Sequence, residues 1–180
     1  MGLDFGRYPW YGITGGPDIE QGDIFEDCSL FEPESAELDD PAGRAYFTWL
    51  TRDVILMTQS CDLVPGRAKV NHVLVCVLWK LTDFPNEHPL ATPKGQEEAR
   101  RGNLPGFHML AACQDDEFPR EVRVVDFRRT WSLPLHYLQQ RANKLHLRLL
   151  PPYREHLSQA FARYFMRVGL PVDIPPFRKG

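Results

Sequence analysis

The chain has 180 residues, enough for one domain with a sizeable core, and its 43% apolar and 25% charged content is ordinary for a soluble globular protein. No apolar run approaches the roughly 20 residues that cross a bilayer. The opening MGLDFGRYPWYGITGG lacks the apolar stretch of a secretory leader, so a cytoplasmic protein without membrane contact is expected. The net charge of -3 conceals an asymmetry: residues 1–100 carry 8 Lys+Arg against 17 Asp+Glu, and residues 101–180 carry 13 against 7. Such halves attract each other within a fold, or leave a basic surface for an anionic partner.

Residues 1–20 are rich in Gly, Pro and aromatics and read as an irregular arm anchored by Phe5, Tyr8, Trp10 and Tyr11. Residues 21–31, QGDIFEDCSLF, read as the first strand, with Ile24, Cys28 and Leu30 pointing inward. An acidic, proline-bearing loop follows over 32–43, and AYFTWL at 45–50 suits an edge strand. DVILMTQSCDLV, at 53–64, is the central stretch: a strand buried on both faces, ending in small polar and acidic groups. Val64-Pro65-Gly66-Arg67 marks a turn, and 70–81 is a second long buried strand. Residues 82–104 hold three prolines and a polar stretch, 94–101, that suits a short exposed helix. Strands are expected at 107–113, at 121–133 (half-exposed by its alternation) and at 145–149, with a helical turn LHYLQQRA opened by Pro134. Residues 151–170 are the clearest helix: Tyr153, Leu157, Phe161, Tyr164, Phe165 and Val168 form one stripe, and Gly169 with Pro171 stops it. The tail, 171–180, is expected to be loose. Short strands followed by terminal helices predict a single α+β domain, a compact antiparallel barrel spanning 21–150 with a C-terminal amphipathic helix.

The four cysteines are dispersed and form no CxxC, which favours reduced thiols over a disulfide framework or a zinc knuckle. Cys61 beside Asp62 is the most reactive-looking pair. A nucleophilic Cys61 needs a base, and His72 or His108 are the candidates, since an adjacent carboxylate raises a thiol pKa. The plain alternative is a small apolar group at a strand end, with Asp62 capping the turn. Cys61, Asp62, His72 and His108 are metal-capable types without local ligand spacing, so no metal and no cofactor is assigned. Arg123, Arg128 and Arg129, interleaved with Phe127 and Trp131, combine charge with stacking surface, as binders of single-stranded nucleic acid do; an exposed strand face over buried aromatics has the same pattern.

The order Gly22-Asp23-Ile24, a loop, Arg52 leading DVILMTQ, then VLVCVLWKL ending beside Thr82, and later VVDFRRTWSLPLHYL, resembles the MazF/PemK-like bacterial toxin domains. The resemblance covers about residues 21–138. It implies an SH3-like barrel, a cytoplasmic toxin–antitoxin or defence setting, and metal-independent endoribonuclease activity with Arg52 as the catalytic cation. The Arg-Pro dipeptide of that group is absent. QGDIF, QSCDL and the final PYREHLSQAFARYFMRVGLP also look like a family of uncharacterised bacterial proteins.

Three readings follow. In the first, RNA is cut or gripped, with Arg52, Asp62 and His72 as the site and Arg123, Arg128, Arg129 and Trp131 as the docking surface. In the second, the chain is a non-enzymatic interaction module for an antitoxin or defence-system subunit. The third is a cysteine-dependent hydrolase built on Cys61. The sequence sets no oligomeric state, and a homo-oligomer is compatible with all three.

Overall fold

The computed structural model describes residues 9–33 and 46–166. Phe5, Tyr8, most of the acidic loop, the last residues of the C-terminal helical stripe and the tail lie outside the described residues. Within them run β1 (Tyr11–Thr14), β2 (Asp23–Pro33), β3 (Phe47–Leu56), β4 (His72–Lys80), α1 (Pro93–Arg100), β5 (Phe107–Leu110), β6 (Arg123–Pro134), α2 (Leu135–Ala142), β7 (His146–Leu149) and α3 (Tyr153–Phe165). The strands form one seven-stranded sheet in the order β1-β7-β2-β3-β4-β6-β5, every neighbour antiparallel. The architecture is α+β. The sheet has edges at β1 and β5, so its pairing is open where the sequence predicted a closed barrel.

The central run explains this layout. Val54 and Leu56 enter one core with Val73, Val75, Val77, Leu133 and Leu138, whereas Ile55 and Met57 enter a second with Cys76, Leu78, Val125, Phe127 and Leu157. Alternate side chains feed opposite faces, which is why the run is continuously apolar. α2 covers the first face through Leu138 and Ala142, and α3 covers the second through Tyr153 and Leu157. Each fully buried Leu or Ile contributes roughly 1.5–3 kcal/mol of hydrophobic stabilisation. A third cluster, Leu90, Ala99, Phe107 and Val124, seats α1 beside β5.

The two strands expected at 45–50 and 53–64 are one strand, β3, continuous through the polar Thr51-Arg52-Asp53. Its first half pairs only with β2, as Phe31 faces Trp49 and Pro33 faces Phe47, and forms a two-stranded ribbon. Its second half is flanked by β2 and β4. Part of the expected N-terminal arm is a strand, and Trp10 stacks on Tyr153 at 3.7 Å.

The QGD and QSCD segments fold as one unit. Gly22 has φ +90, and an added Cβ there would stand 3.1 Å from the Leu149 side chain and 3.3 Å from its carbonyl, so glycine suits both the conformation and the space. Its N–H donates to the Leu56 carbonyl at 2.8 Å. The Gln21 amide nitrogen donates to the Met57 carbonyl at 2.8 Å, the Gln21 backbone donates to Ser60 Oγ at 3.1 Å, and Ser158 Oγ donates to Gln21 Oε1 at 2.8 Å. The co-occurrence of the two motifs is therefore explained by a tie between β2, the end of β3 and α3.

Candidate nucleic-acid interface

Strand register separates the residues proposed for RNA cleavage. Asp53 faces Leu78, which places Arg52 at the Trp79 end of β4. His72 opens the same strand, seven residues away, about 23 Å at the usual rise of roughly 3.3 Å per residue. Asp62 lies beyond the far end of β3, in the short turn Ser60–Asp62, where its carboxylate takes Lys69 Nζ at 3.0 Å and its carbonyl accepts the Lys69 N–H. His72 is exposed at the strand start, opposite Pro134. Arg52 is thus not assembled with Asp62 or His72.

Cys61 is exposed in the same turn, with Sγ 3.9 Å from Asp62 Oδ1, and no hydrogen bond links it to a histidine among the described residues. Cys28 and Cys76 are buried, and burial pushes their thiols up to about 11 and about 12. Among the described residues no group of three or more His, Cys, Asp or Glu is placed to hold a metal ion, and no helix is long and apolar enough to cross a membrane.

His108 stacks against Phe127, ring centroids 6.2 Å apart. Burial pushes its imidazole down to about 4, and repulsion from His156 acts in the same direction. The unfolded chain, with a histidine near 6.5, takes up this proton first, so stability falls as pH drops from about 6.5 towards 4. His108→Phe keeps a ring in place and removes this component. Urea midpoints at pH 7 and pH 5 should therefore differ less in the variant than in the parent chain; an equal difference in both would refute the assignment.

The structure does assemble three predicted arginines on aromatic rings. The Arg52 guanidinium lies over the Trp79 ring at 5.3 Å, and that of Arg129 lies over the same ring at 5.8 Å. Arg128 lies over Phe107 at 4.2 Å, tied to Asp126 by hydrogen bonds of 2.8 and 2.9 Å. Phe84 bridges the two rings, 6.2 Å from Trp79 and 5.9 Å from Phe107, and His88 stacks on Phe84 at 4.6 Å. The result is a row of rings, Trp79-Phe84-Phe107, carrying three guanidiniums.

Arg52 donates to the Thr51 carbonyl at 2.9 Å, and neither Arg52 nor Arg129 meets a carboxylate among the described residues. Trp131 is half-buried next to the row in sequence, and its Nε1 donates to the Phe31 carbonyl at 3.3 Å, so it fastens the β2–β3 ribbon to β6.

Arg123 has a different place. It is 6% exposed, donating to Asp53 and, at 2.9 Å, to Glu26. Alternation suggested a half-exposed strand, but residues 123–127 are all buried, since Asp126 and Arg123 have ionic partners on neighbouring elements or nearby in the chain. Sequence reasoning missed Trp79 and Phe107, which fell in expected strands, and Phe84, which fell in the proline-bearing stretch 82–104; the signal available was only their aromatic type beside arginine-bearing strands.

No family model matches this chain, and no curated protein matches it.

Proposed function

We propose that the chain is a nucleic-acid-directed protein of the MazF/PemK-like kind that grips single-stranded RNA along the Trp79-Phe84-Phe107 row. One observation carries this reading: two guanidiniums that meet no carboxylate among the described residues, Arg52 and Arg129, share one indole ring. Guanidiniums held flat on a ring attract phosphate and present planes on which unstacked bases lie. Separation of Arg52 from Asp62 and His72 favours gripping over cutting, since an in-line attack on phosphate needs base and cation at one place. The SH3-like barrel is part of the same reading. Its support is that Leu50 of the β2–β3 ribbon and Trp131 of β6 pack against one core and that Trp131 Nε1 donates to the Phe31 carbonyl.

The test is fluorescence anisotropy with a labelled single-stranded RNA carrying a 5′-hydroxyl, over a series of salt concentrations. Arg52→Ala with Arg129→Ala should weaken binding at least about tenfold and flatten the slope of log K against log salt by about 1.4, near 0.7 per lost phosphate contact. An RNA affinity indifferent to both substitutions, or no binding at low salt, defeats the proposal. RNA fragments on a denaturing gel, lost in the double variant, would move the reading to an endoribonuclease.

A second reading, a protein-interaction module, is favoured by the ribbon itself. Trp49 is 68% exposed and Phe31 58%, the two rings stacked at 6.4 Å on a surface that no described residue covers with a core.

A further inference from the structure

A cleft of about 450 Å³ opens where β2 bulges between Phe25 and Cys28, walled by β2, the end of α2 and the start of β7. It shares no residue with the Trp79 row. Its volume falls within the roughly 300–1,000 Å³ of sites that enclose one small molecule.

Three features of its lining point to one ligand chemistry. The first is unbalanced positive charge. Arg120 and Arg123 are held by Glu26, and Arg123 also by Asp53, but among the described residues Arg141 gives an N–H only to the Glu26 carbonyl oxygen and meets no carboxylate, and Lys144, three residues on, has no ion pair. The second is apolar surface beside those cations: the Leu145 side chain is 59% exposed, and the half-buried Tyr137 ring lies 5.8 Å from the Arg141 guanidinium. The third is Asp27, at the rim. It has φ 53, a left-handed conformation that Asp adopts more readily than most residues, within the bulge between Phe25 and Cys28. Asp53 Oδ1 holds it there by accepting its backbone N–H at 3.0 Å, and the Asp27 carboxylate itself is left exposed.

We propose that this cleft binds a nucleoside monophosphate: Arg141 and Lys144 take the phosphate, Leu145 and the Tyr137 ring pack against the base, and Asp27 accepts a hydrogen bond from a base N–H. A phosphate alone would use the cations and leave the apolar wall uncovered; an uncharged nucleoside would leave the cations unmet. The same chemistry is offered by a free mononucleotide and by the 5′-phosphorylated end of an RNA. The proposal stands independently of the Trp79 row.

Calorimetric titration of the full chain with 5′-mononucleotides, the matching nucleosides and inorganic phosphate tests it. The expected result is that at least one mononucleotide binds about tenfold or more tighter than its nucleoside and than phosphate, and that Arg141→Gln and Lys144→Gln each weaken it by roughly tenfold, the loss of one charge-assisted hydrogen bond. Lys144→Gln is the second variant because Lys144 is exposed and its side chain has no partner among the described residues, so its loss is not ascribed to misfolding. A gain in RNA affinity on adding a 5′-phosphate, lost in Lys144→Gln, identifies the RNA end as the source; mononucleotide binding without that gain identifies the free nucleotide. Phosphate binding as tight as any mononucleotide, or binding that survives both substitutions, or none at millimolar ligand, overturns the proposal. Because the interface assay uses 5′-hydroxyl RNA, each proposal fails on its own measurement.

Discussion

Asp23→Ala is expected to cost about 3–5 kcal/mol, the usual loss when one partner of a buried ion pair is removed. Asp23 is 0% exposed. Its carboxylate accepts from Arg148 Nε and Nη2, the latter at 2.9 Å, accepts the Glu20 N–H at 2.9 Å, and lies 3.3 Å from His146 Nε2. Removing it leaves Arg148 facing an apolar methyl, with Glu20 at 2.7 Å and the Asp18 carbonyl at 2.8 Å as its remaining partners. The pair also has a topological role. Asp23 faces Arg148 across β2 and β7, the register of β7 with β2 holds this position and Ile24–Leu147, with a further Leu149 N–H to Gly22 carbonyl bond at 2.9 Å, and among the described strands β1 pairs with β7 alone. Amide exchange in β1 and β7 should therefore accelerate before that in β3 and β4.

The same group sets an acid dependence. Burial pushes the Asp23 carboxyl up, but hydrogen bonds from Arg148, His146 and the Glu20 backbone outweigh it and hold the group below the ordinary carboxylate value. A depressed carboxylate contributes its stability above the unfolded value, near 3.9, and loses it as pH falls through the folded value. Asp23→Asn should be less stable at pH 7 and should lose less than the parent on acidification below about pH 4. Urea unfolding across that range measures both effects. A pH 7 loss below about 1 kcal/mol, within the range of an exposed salt bridge, would show that Arg148 is satisfied without Asp23.

How far this arrangement could be read beforehand depended on whether the cause was local. The runs VILM and VLVCVL identify buried strands by themselves, because burial on two faces demands apolar residues at every position. α3 was legible for the related reason that its stripe recurs at helical spacing. The joining of 45–50 with 53–64 was not legible, since Arg52-Asp53 looks like an interruption. Asp53 is accommodated by Arg123, 70 residues later, and no local pattern announces such a partner. Arg123 itself reads as an outward residue between two valines for the same reason. The candidate interface was half visible. Arg52, Arg128 and Arg129 could be picked by type, but the rings beneath them come from β4, β5 and the segment after β4, and only the sheet order brings them together. The cleft at the bulge was invisible, because its cations, Arg141 in the last turn of a short helix and Lys144 two residues past its end, have a plain explanation in that helix's C-terminal carbonyls.

The second large effect lies at the base of that cleft. Arg123→Met is expected to cost about 3–5 kcal/mol, against a total of roughly 5–15 kcal/mol for a domain of ordinary stability. Arg123 pairs with Lys80 in the β4–β6 register while Asp53 pairs with Leu78 in β3–β4, so the Arg123–Asp53 contact crosses β4 diagonally and ties β6 to β3. Glu26 would keep Arg120, whose Nη2 donates to it at 2.8 Å, but among the described residues Asp53 would retain only the Asp27 N–H and become a half-buried carboxylate without a cation. The single and double variants separate charge loss from packing loss. Arg123→Met with Asp53→Leu removes both charges together, and exchange of a buried pair for packed apolar groups is commonly near neutral. The double variant should therefore recover most of what Arg123→Met loses, a coupling of more than about 1 kcal/mol in a double-mutant cycle by urea unfolding. Additive losses would mean that Arg123 stabilises the sheet through its aliphatic stem, and that Asp53 finds its compensation in the Asp27 backbone alone.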